Sequence, residues 1–560
     1  MVSSDFLRVG KKALPVLLLV AVVFLTYVSV LRNGFVVWDD DSLVYENPLV
    51  THLNAATVKG IFTSYDPELY IPLTLFSFQV EHALFGFDPF FYHFTNLLLH
   101  CANTVLVFFL LQRLGLKKGM AFFLALLFGL HPINSEAVAW VSARKDLLAA
   151  CFFLGSLSAY LNYLSSRSMR WYWGAFLLFL CALLSKVVVL FLPLVLLLID
   201  WRQGRRGLSV WREKWPFFLL SAVFLIVALF GKTQNIASLS LWQTLLLSLK
   251  STAFSLWSVL WPWQLSLVYQ QSGPIQLASV AFLLSTVTVT LLAALTLWSL
   301  HRTKVVAFAM AWYVLLLLPT FSNFSKAGSY FYFSDRYVYL PQIGLLLLLG
   351  ITLEHLAQRG LSRVVLRSGQ IVSVLLLLCF GWTAHGRTLL WHDSETLFRD
   401  ALSKNPQSAV MHFNMAVVDQ KHGNLAEAEA AYRLVLAKNP HYAKAHNNLG
   451  LLLAVQGKTE EARREYEAAI ASDPLNAHAL NNLGSWYMDR GEIDRAIVFF
   501  QQAIAADAHL LRAYYNLGAS LGKQERYEEA LEVYAQAFAF DPSRQQEYEQ
   551  LKRALQQVQQ

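Results

Sequence analysis

Eleven apolar runs crowd the first 390 residues, near 13–31, 91–114, 119–131, 147–164, 171–185, 187–201, 216–231, 277–300, 305–320, 337–355 and 370–386. Each is long enough to span a bilayer, or nearly so, and a chain that is 56% hydrophobic and 15% charged cannot hide them in a water-soluble core. This part of the chain therefore reads as polytopic membrane protein. The net charge of +8 would otherwise suggest nucleic acid. Its basic residues instead fall in alternate links: Arg113/Lys117/Lys118, Arg167/Arg170, Arg202/Arg205/Arg206/Arg212/Lys214, Arg302/Lys304 and Arg359/Arg363/Arg367. That distribution is a topology signal rather than a binding patch.

Placing those links in the cytoplasm satisfies the positive-inside rule with about eleven crossings. Arg8, Lys11 and Lys12 precede the first run, which lacks a small-residue cleavage site and reads as an uncleaved span with a cytoplasmic N-terminus. Two stretches shape the scheme. Both flanks of 171–201 are basic, so this stretch is a hairpin of two short helices turning at Ser185-Lys186 on the outer side. The segment 242–262 carries Lys250 at its centre, and parity places it as a helix on or just within the outer surface. Cys101, Cys151, Cys181 and Cys379 all sit in apolar segments with no CxxC spacing, as small core residues would.

After Trp391 the composition turns polar and alanine-rich, and a period of 34 residues appears. Pro406, Pro440, Pro474 and Pro542 share the register, with Ala508 at the intervening position. Within each unit Asn414-Met415-Ala416 returns as Asn448-Leu449-Gly450, Asn482-Leu483-Gly484 and Asn516-Leu517-Gly518. Gly423, Gly457 and Gly491 follow, with Glu525 departing, then Ala428, Ala462, Ala496 and Ala530, then Tyr432, Tyr466, Phe500 and Tyr534. Small residues let paired helices approach, and the glycines permit the turns between them. The pattern is identified as the tetratricopeptide repeat. The fold class is all-α: a polytopic membrane domain over 1–390 with an acidic outer loop at 32–90, a joining half-repeat at 391–406, and four repeats over 407–560. An odd number of crossings puts the repeats outside the cytoplasm.

Chemistry-bearing residues gather in the links assigned to the outside. The first outer loop opens Trp38-Asp39-Asp40-Asp41-Ser42 and closes Tyr70-Ile71-Pro72-Leu73-Thr74. A later link reads His131-Pro132-Ile133-Asn134-Ser135-Glu136-Ala137-Val138-Ala139-Trp140, then Arg144-Lys145-Asp146. Charged groups there are costly beside lipid without a polar cavity or partners. Lys186 and Asp335-Arg336 face the same side. His93, Asn96 and His100 share a helix face, and their spacing fits helix-packing polar residues better than a metal site. The sequence offers no Walker loop, no GxGxxG after a strand, no GxSxG elbow and no HExxH, so neither nucleotide hydrolysis nor metal proteolysis has a sequence handle.

Together these motifs resemble the transmembrane and tetratricopeptide-repeat-containing O-mannosyltransferases, within the lipid-donor glycosyltransferases of the GT-C fold. The likeness rests on Asp39-Asp40-Asp41, Tyr70 to Thr74, His93 to His100, His131-Pro132, Glu136 to Trp140, Arg144 to Leu148, Ser185-Lys186 and Arg336 to Pro341, and it continues through the repeats. It implies transfer of a sugar, typically mannose, from a polyprenyl phosphate to a hydroxyl on the outer face of the membrane. Ile71 stands where the family's Tyr-Arg-Pro motif has arginine, and Val187 follows Lys186 where an acid is common.

Inverting transfer needs a base for the acceptor proton and cations for the departing phosphate. Asp40 is the expected base, with Asp41 and Asp39 as alternatives. Glu136 would orient the sugar or acceptor, and Arg144, Lys186 and Arg336 would pair with the donor phosphate. Tyr70, His93, His131, Asp146 and Asp335 would support them. With a monophosphate donor those cations suffice, and neither metal nor cofactor is expected. Asn448, Asn482 and Asn516 would hold an extended acceptor segment on the concave face of the repeats. Two other readings stand beside this one: a lipid or polysaccharide acceptor, and a non-catalytic membrane scaffold whose repeats recruit partners. The outward regions are read as carrying no N-glycosylation acceptor motif, which leans toward a bacterial inner membrane, with the repeats periplasmic or luminal.

Overall fold

A computed structural model describes residues 2–65, 69–231, 239–326, 329–359, 362–541 and 545–558. Pro542 of the repeat register lies outside the described residues. The chain forms two compact units. One comprises Met1–Val36, Ser64–Ser77 and Phe87–Leu397, and the other Val37–Thr63, Phe78–Gly86 and Phe398–Gln560.

In the first unit every apolar run becomes helix. Among the described residues seven helices are long and apolar enough to cross a membrane: Ala13–Arg32, Pro89–Arg113, Val141–Ser166, Leu208–Gly231, Val280–Ser299, Lys304–Asn323 and Arg363–Leu389. An eighth is Lys118–Gly129 with Pro132–Ala139, bent by 49° between them. The runs at 171–185, 187–201 and 337–355 form shorter helices, Met169–Ser185, Leu192–Arg202 and Gln342–Gln358, so the expected total of eleven crossings rests on four short or broken segments. Pro89–Arg113 and Arg144–Ser166 pack together and contribute to a buried apolar core shared with the other helices of the unit. Val280–Ser299 and Arg363–Leu389 keep their apolar surface exposed, as lipid-facing helices do.

The segment 242–262 forms helix Leu241–Leu260, started by a capping box between Ser240 and Gln243. It is not among the helices long and apolar enough to cross. Its inner face buries Leu246, Leu247, Ser251, Thr252 and Ser255, while Trp242, Leu245, Trp257 and Leu260 are exposed, followed by Trp261 and Trp263. Exposed tryptophans in a cluster suit a membrane interface, where an aromatic ring meets headgroups. Lys250 turns inward, donates to Gln271 Oε1 (2.6 Å) and lies 3.9 Å over the Tyr332 ring. Burial pushes its ammonium down to about 8.

One small sheet interrupts the helical pattern, with Ser329–Phe333 pairing antiparallel to both Tyr269–Gln270 and Ser325–Lys326. Its central strand runs directly into Ser334 and the turn Asp335–Val338. Running into the strand Ser325–Lys326 is Asn323-Phe324-Ser325, an N-glycosylation acceptor pattern in a region the charge pattern places outside. The lean toward a bacterial membrane loses its support there.

In the second unit a single helix, Ser394–Lys404, leads into four pairs: Ala409–Lys421 with Leu425–Lys438, Ala443–Val455 with Thr459–Ser472, Ala477–Asp489 with Ile493–Ala506, and Leu511–Lys523 with Tyr527–Phe540. Gln545–Val558 follows. Gly450, Gly484 and Gly518 face the rings of Tyr466, Phe500 and Tyr534, where a Cβ would stand 2.6–2.7 Å from ring carbons. Gly423, Gly457 and Gly491 turn the chain at φ near +80°, and Glu525 takes the same left-handed region at φ 61°. A side chain there costs about 1 kcal/mol. Glu525→Gly is therefore expected to stabilise the repeats by about 0.5–1 kcal/mol, offset in part by its freer unfolded chain, as a rise in melting temperature would register.

Part of the first outer loop belongs to this second unit, which departs from a loop attached wholly to the membrane domain. Leu43, Val44, Leu49, Val50 and Ile61 are buried, Trp38 meets Phe398 edge to face (6.2 Å), and His52 pairs with Asp541 (3.2 Å). The Gln79 amide donates to Leu49 O and His52 O, both at 2.8 Å, closing the loop. Apolar residues scattered through 43–61 show no helical or strand period, so their shared burial is invisible in sequence.

His446 carries an electrostatic signature of its own. Nδ1 meets Glu465 Oε2 (2.6 Å) and Nε2 meets the Pro440 carbonyl (2.9 Å), so both nitrogens face acceptors and the imidazolium suits the site. Burial works against that charge, but the Glu465 and Pro440 hydrogen bonds outweigh it and hold the pKa above the ordinary histidine value. A raised folded pKa gives stability that is full below the unfolded pKa and is lost as pH rises through the folded one. His446→Gln should therefore lower the melting temperature more at pH 6 than at pH 8; an equal loss at both would refute the assignment.

Candidate active site

The site grows from a helix that cannot continue. Lys118–Gly129 ends before His131-Pro132; the chain then makes a single turn over Pro132–Asn134, a short helix Ser135–Ala139, another turn at Val141–Ala143, and only then the long helix from Arg144. Everything from Leu130 to Leu147 is buried. Irregular backbone among membrane helices persists only when its polar groups are satisfied by protein. Side-chain amides do this: Asn134 donates to Phe128 O (2.8 Å), Asn96 to Trp140 O (3.0 Å) and Val141 O (3.2 Å), and Asn103 to Leu147 O (3.1 Å). Gln342 in turn holds Asn134 Oδ1 (2.8 Å).

On this frame Glu136, buried to 1% exposure, accepts from Ser334 Oγ (3.0 Å) and from the Arg336 backbone N–H (3.2 Å), and it is paired with the Arg336 guanidinium. Asp146, at the start of the long helix, accepts from Lys186 Nζ through Oδ1 (2.6 Å), while its Oδ2 lies 3.9 Å from Arg336 Nε. The guanidinium sits 4.9 Å from the Trp140 ring centroid, and Lys145 Nζ is 4.7 Å from the same ring. Sequence positions 136, 146, 186 and 336 are thus one connected cluster. Burial works against the Arg336 charge, but Glu136 first and Asp146 further down outweigh it and keep the guanidinium firmly protonated. Burial draws the Lys186 ammonium below its ordinary value against the pull of Asp146, with Arg336 adding repulsion.

The closing motif of the first outer loop serves this cluster. Pro72 starts helix Pro72–Phe85, and Thr74 Oγ1 donates to the Ser185 carbonyl (3.0 Å), beside Lys186. Tyr70 packs near Tyr65 and Phe224, and Ile71 is buried.

Arg144 is fully buried; its Nε donates to Asn96 Oδ1 (3.0 Å) and its Nη2 to Tyr92 O (2.8 Å), over the Tyr92 ring. Asp335 accepts from Tyr269 OH (2.6 Å) and Arg387 (2.9 Å). His131 meets Val259 O through Nε2 (3.0 Å) and takes the Ile133 N–H on Nδ1 (3.3 Å). His93 meets Gly34 O (3.3 Å), and His100 bridges Tyr339 OH (2.7 Å) and Gly129 O (3.0 Å). Each of these histidines has a nitrogen engaged by backbone, and no group of three or more metal-ligating side chains occurs among the described residues.

The acidic triplet lies in the other unit. Asp39 adopts φ 76°, and its carbonyl accepts from Leu43 N (2.9 Å) to open a wide turn over Asp41–Tyr45. Asp40 is fully buried. Burial, with Glu46 and Asp39 nearby, raises the Asp41 carboxyl above its ordinary value, against the Ser42 N–H and Lys421. In the repeats, Asn482 donates to Asn447 Oδ1 (3.0 Å), Asn516 to Asn481 Oδ1 (2.9 Å) and Asn448 to Tyr432 OH (3.4 Å). The three expected acceptor-binding asparagines therefore carry amide contacts along the solenoid.

Ser334, Trp140, Lys145, Asn103 and Gln342 were not singled out as site residues from sequence. Ser334 adjoins Asp335-Arg336 and Lys145 adjoins Asp146, but adjacency carries no sign of a shared cluster.

Models of the tetratricopeptide repeat match residues 413–466, 447–510 and 511–544. Protein O-mannosyl-transferase TMTC1 of Homo sapiens is 28% identical over 445 residues, covering 66% of this chain and 48% of that protein. TMTC4 of Homo sapiens is 25% identical over 478 residues, 71% of this chain and 62% of that protein. A shorter stretch of 123 residues is 40% identical to TMTC2 of Homo sapiens, over 21% of this chain and 15% of that protein. The chain thus has O-mannosyl-transferase homologues, and it spans about half the length of the curated relatives it matches. Among solved structures, the crystal structure of MamA overlaps 27% of this chain and 88% of its own at 20% identity, with a TM-score of 0.24.

Proposed function

We propose that this chain is a membrane glycosyltransferase that moves a sugar, mannose by the likeness of its relatives, from a polyprenyl-phosphate donor to a hydroxyl of a protein acceptor on the extracytoplasmic face. What carries the reading is the buried cluster of Glu136, Asp146, Lys186 and Arg336, four charged groups held together among apolar helices. Such a set is expensive to maintain without chemistry to perform. The likeness to protein O-mannosyl-transferases supports the sugar and the acceptor class.

In this reading Asp40 takes the acceptor proton, with Asp41 and Asp39 as its alternatives, and the cations Arg336, Lys186 and Arg144 offset the charge left on the lipid phosphate. Those groups perform the transfer without a metal. The repeats bind the acceptor segment, through Asn448, Asn482 and Asn516. Transfer of labelled mannose from polyprenyl-phosphate mannose to co-reconstituted secreted proteins tests the activity. Asp40→Asn is expected to reduce the rate at least about 100-fold. Full activity in that variant, with loss in Asp41→Asn or Asp39→Asn, would move the base; full activity in all three would remove the triplet from the reaction.

A further inference from the structure

Within the Glu136–Arg336 cluster, Asp146 Oδ2, Arg336 Nε and Trp140 Nε1 have no hydrogen-bond partner among the described residues. Trp140 is 1% exposed and Asp146 9%, so these are buried groups whose unmet hydrogen bonds each cost about 1–3 kcal/mol. The three belong together: Arg336 Nε is 3.9 Å from Asp146 Oδ2, and its guanidinium lies against the Trp140 ring. The side chains of Arg336, Lys186 and Asp146 stay 17%, 15% and 8% exposed, so the cluster reaches solvent at its edge while the three atoms themselves are covered, and a ligand meets them by displacing neighbouring side-chain atoms.

Charge decides what these atoms can take. Arg336 is already paired with Glu136, and Lys186 with Asp146, so neither cation is in excess. A phosphate oxygen brought to the same place would meet the Asp146 carboxylate. A hydroxyl has no such conflict, because one oxygen donates to a carboxylate and accepts from a guanidinium N–H. At hydrogen-bond lengths of about 2.8 Å a single oxygen reaches both atoms across their 3.9 Å separation. The indole N–H adds a second donor, which calls for a second oxygen, and a polyol supplies both where a serine or threonine acceptor offers one. The Trp140 ring face is taken by cations, so recognition there is by hydrogen bond and not by stacking.

We infer that Asp146, Arg336 and Trp140 form a subsite for hydroxyls of the lipid-linked sugar, so that Arg336 reads the sugar and the phosphate is left to Lys186 and Arg144. The inference rests on the proposed transferase reading for its ligand and changes the role given to Arg336. Asp146 becomes a specificity-determining residue, and Trp140 a hydrogen-bond donor to the sugar.

Binding to the full chain in lipid nanodiscs tests this with two probes, polyprenyl-phosphate mannose and sugar-free polyprenyl phosphate. The wild type should bind the mannosyl lipid at least about tenfold tighter, as one buried charge-assisted hydrogen bond would give. Asp146→Asn should abolish that preference while polyprenyl phosphate binds at least as tightly as to the wild type, because Lys186 loses its carboxylate partner, and Trp140→Phe, which keeps the ring under Arg336, should reduce the preference. Wild type without a preference, a preference surviving in Asp146→Asn, or equal loss for both lipids would each overturn the subsite. Failure of the transferase reading is told apart: the preference and its loss would persist while no mannose reached any acceptor.

Discussion

Arg336→Ala should lose both transfer activity and a large part of the stability of the membrane unit. Glu136 is almost wholly buried, and two of its contacts are the Arg336 guanidinium and backbone N–H. Removing the guanidinium leaves a carboxylate in the interior with the Ser334 hydroxyl and a backbone N–H, and breaking a buried pair from one side costs about 3–5 kcal/mol. The rate should fall at least about 100-fold, as when a preorganised donor is removed from a transfer site. A double replacement separates the effects. Arg336→Met with Glu136→Gln removes both charges, and the thermal midpoint should return most of the way toward wild type while activity stays lost. Recovery of both would make the pair structural.

The second large effect lies at the opposite end of the long helix Arg144–Ser166. Asp200 accepts from Tyr160 OH (2.8 Å) and Arg205 (2.6 Å) and pairs with Lys214, whose side chain is fully buried; Arg205 also grips Glu213 through both carboxylate oxygens (2.8 and 2.9 Å). These contacts tie three helices, Arg144–Ser166, Leu192–Arg202 and Leu208–Gly231. Asp200→Leu should cost about 3–5 kcal/mol, because Lys214 keeps its charge and loses its nearest carboxylate. Asp200→Leu with Lys214→Met should recover much of that. Asp146 and Tyr160 are about 20 Å apart along the helix at 1.5 Å per residue, so the specific activity of the surviving folded protein should be unchanged. A melting temperature equal to wild type in the single variant would show that the network contributes nothing.

Much of the fold could be read from period and composition. Apolar runs name membrane helices because a bilayer demands length and apolarity from each one separately. The repeats were legible because the same small residue must face the same ring in every unit, as Gly450 does with Tyr466 and Gly484 with Phe500. The small sheet is not legible in the sequence, since Tyr269–Gln270 and Ser325–Lys326 are two residues each, too short for alternation to register. The helix at 242–262 was placed at the surface by charge parity, and its inward Lys250 and outward tryptophans agree with that.

The candidate site divided differently. Glu136, Asp146, Lys186 and Arg336 were each recognisable as charges that a membrane protein would not keep idle. Their pairing was not, because the partners stand 40 and 200 residues apart and no period links them. The amides that make the broken helix tolerable, Asn96, Asn103, Asn134 and Gln342, look in sequence like ordinary packing residues.

What the sequence determined by itself was therefore local and repetitive: which segments are helices, where the composition turns from bilayer to solenoid, and which residues are too charged to be filler. Such properties depend on neighbours within a few turns, where hydrophobic period and turn chemistry act. The tertiary structure decided which charges neutralise one another, and so which atoms of Asp146, Arg336 and Trp140 remain to meet a ligand. It also decided that residues 37–63 pack in the same unit as the repeats. Both outcomes come from contacts between distant segments, where Coulomb attraction and apolar burial act through space and leave no mark on spacing along the chain.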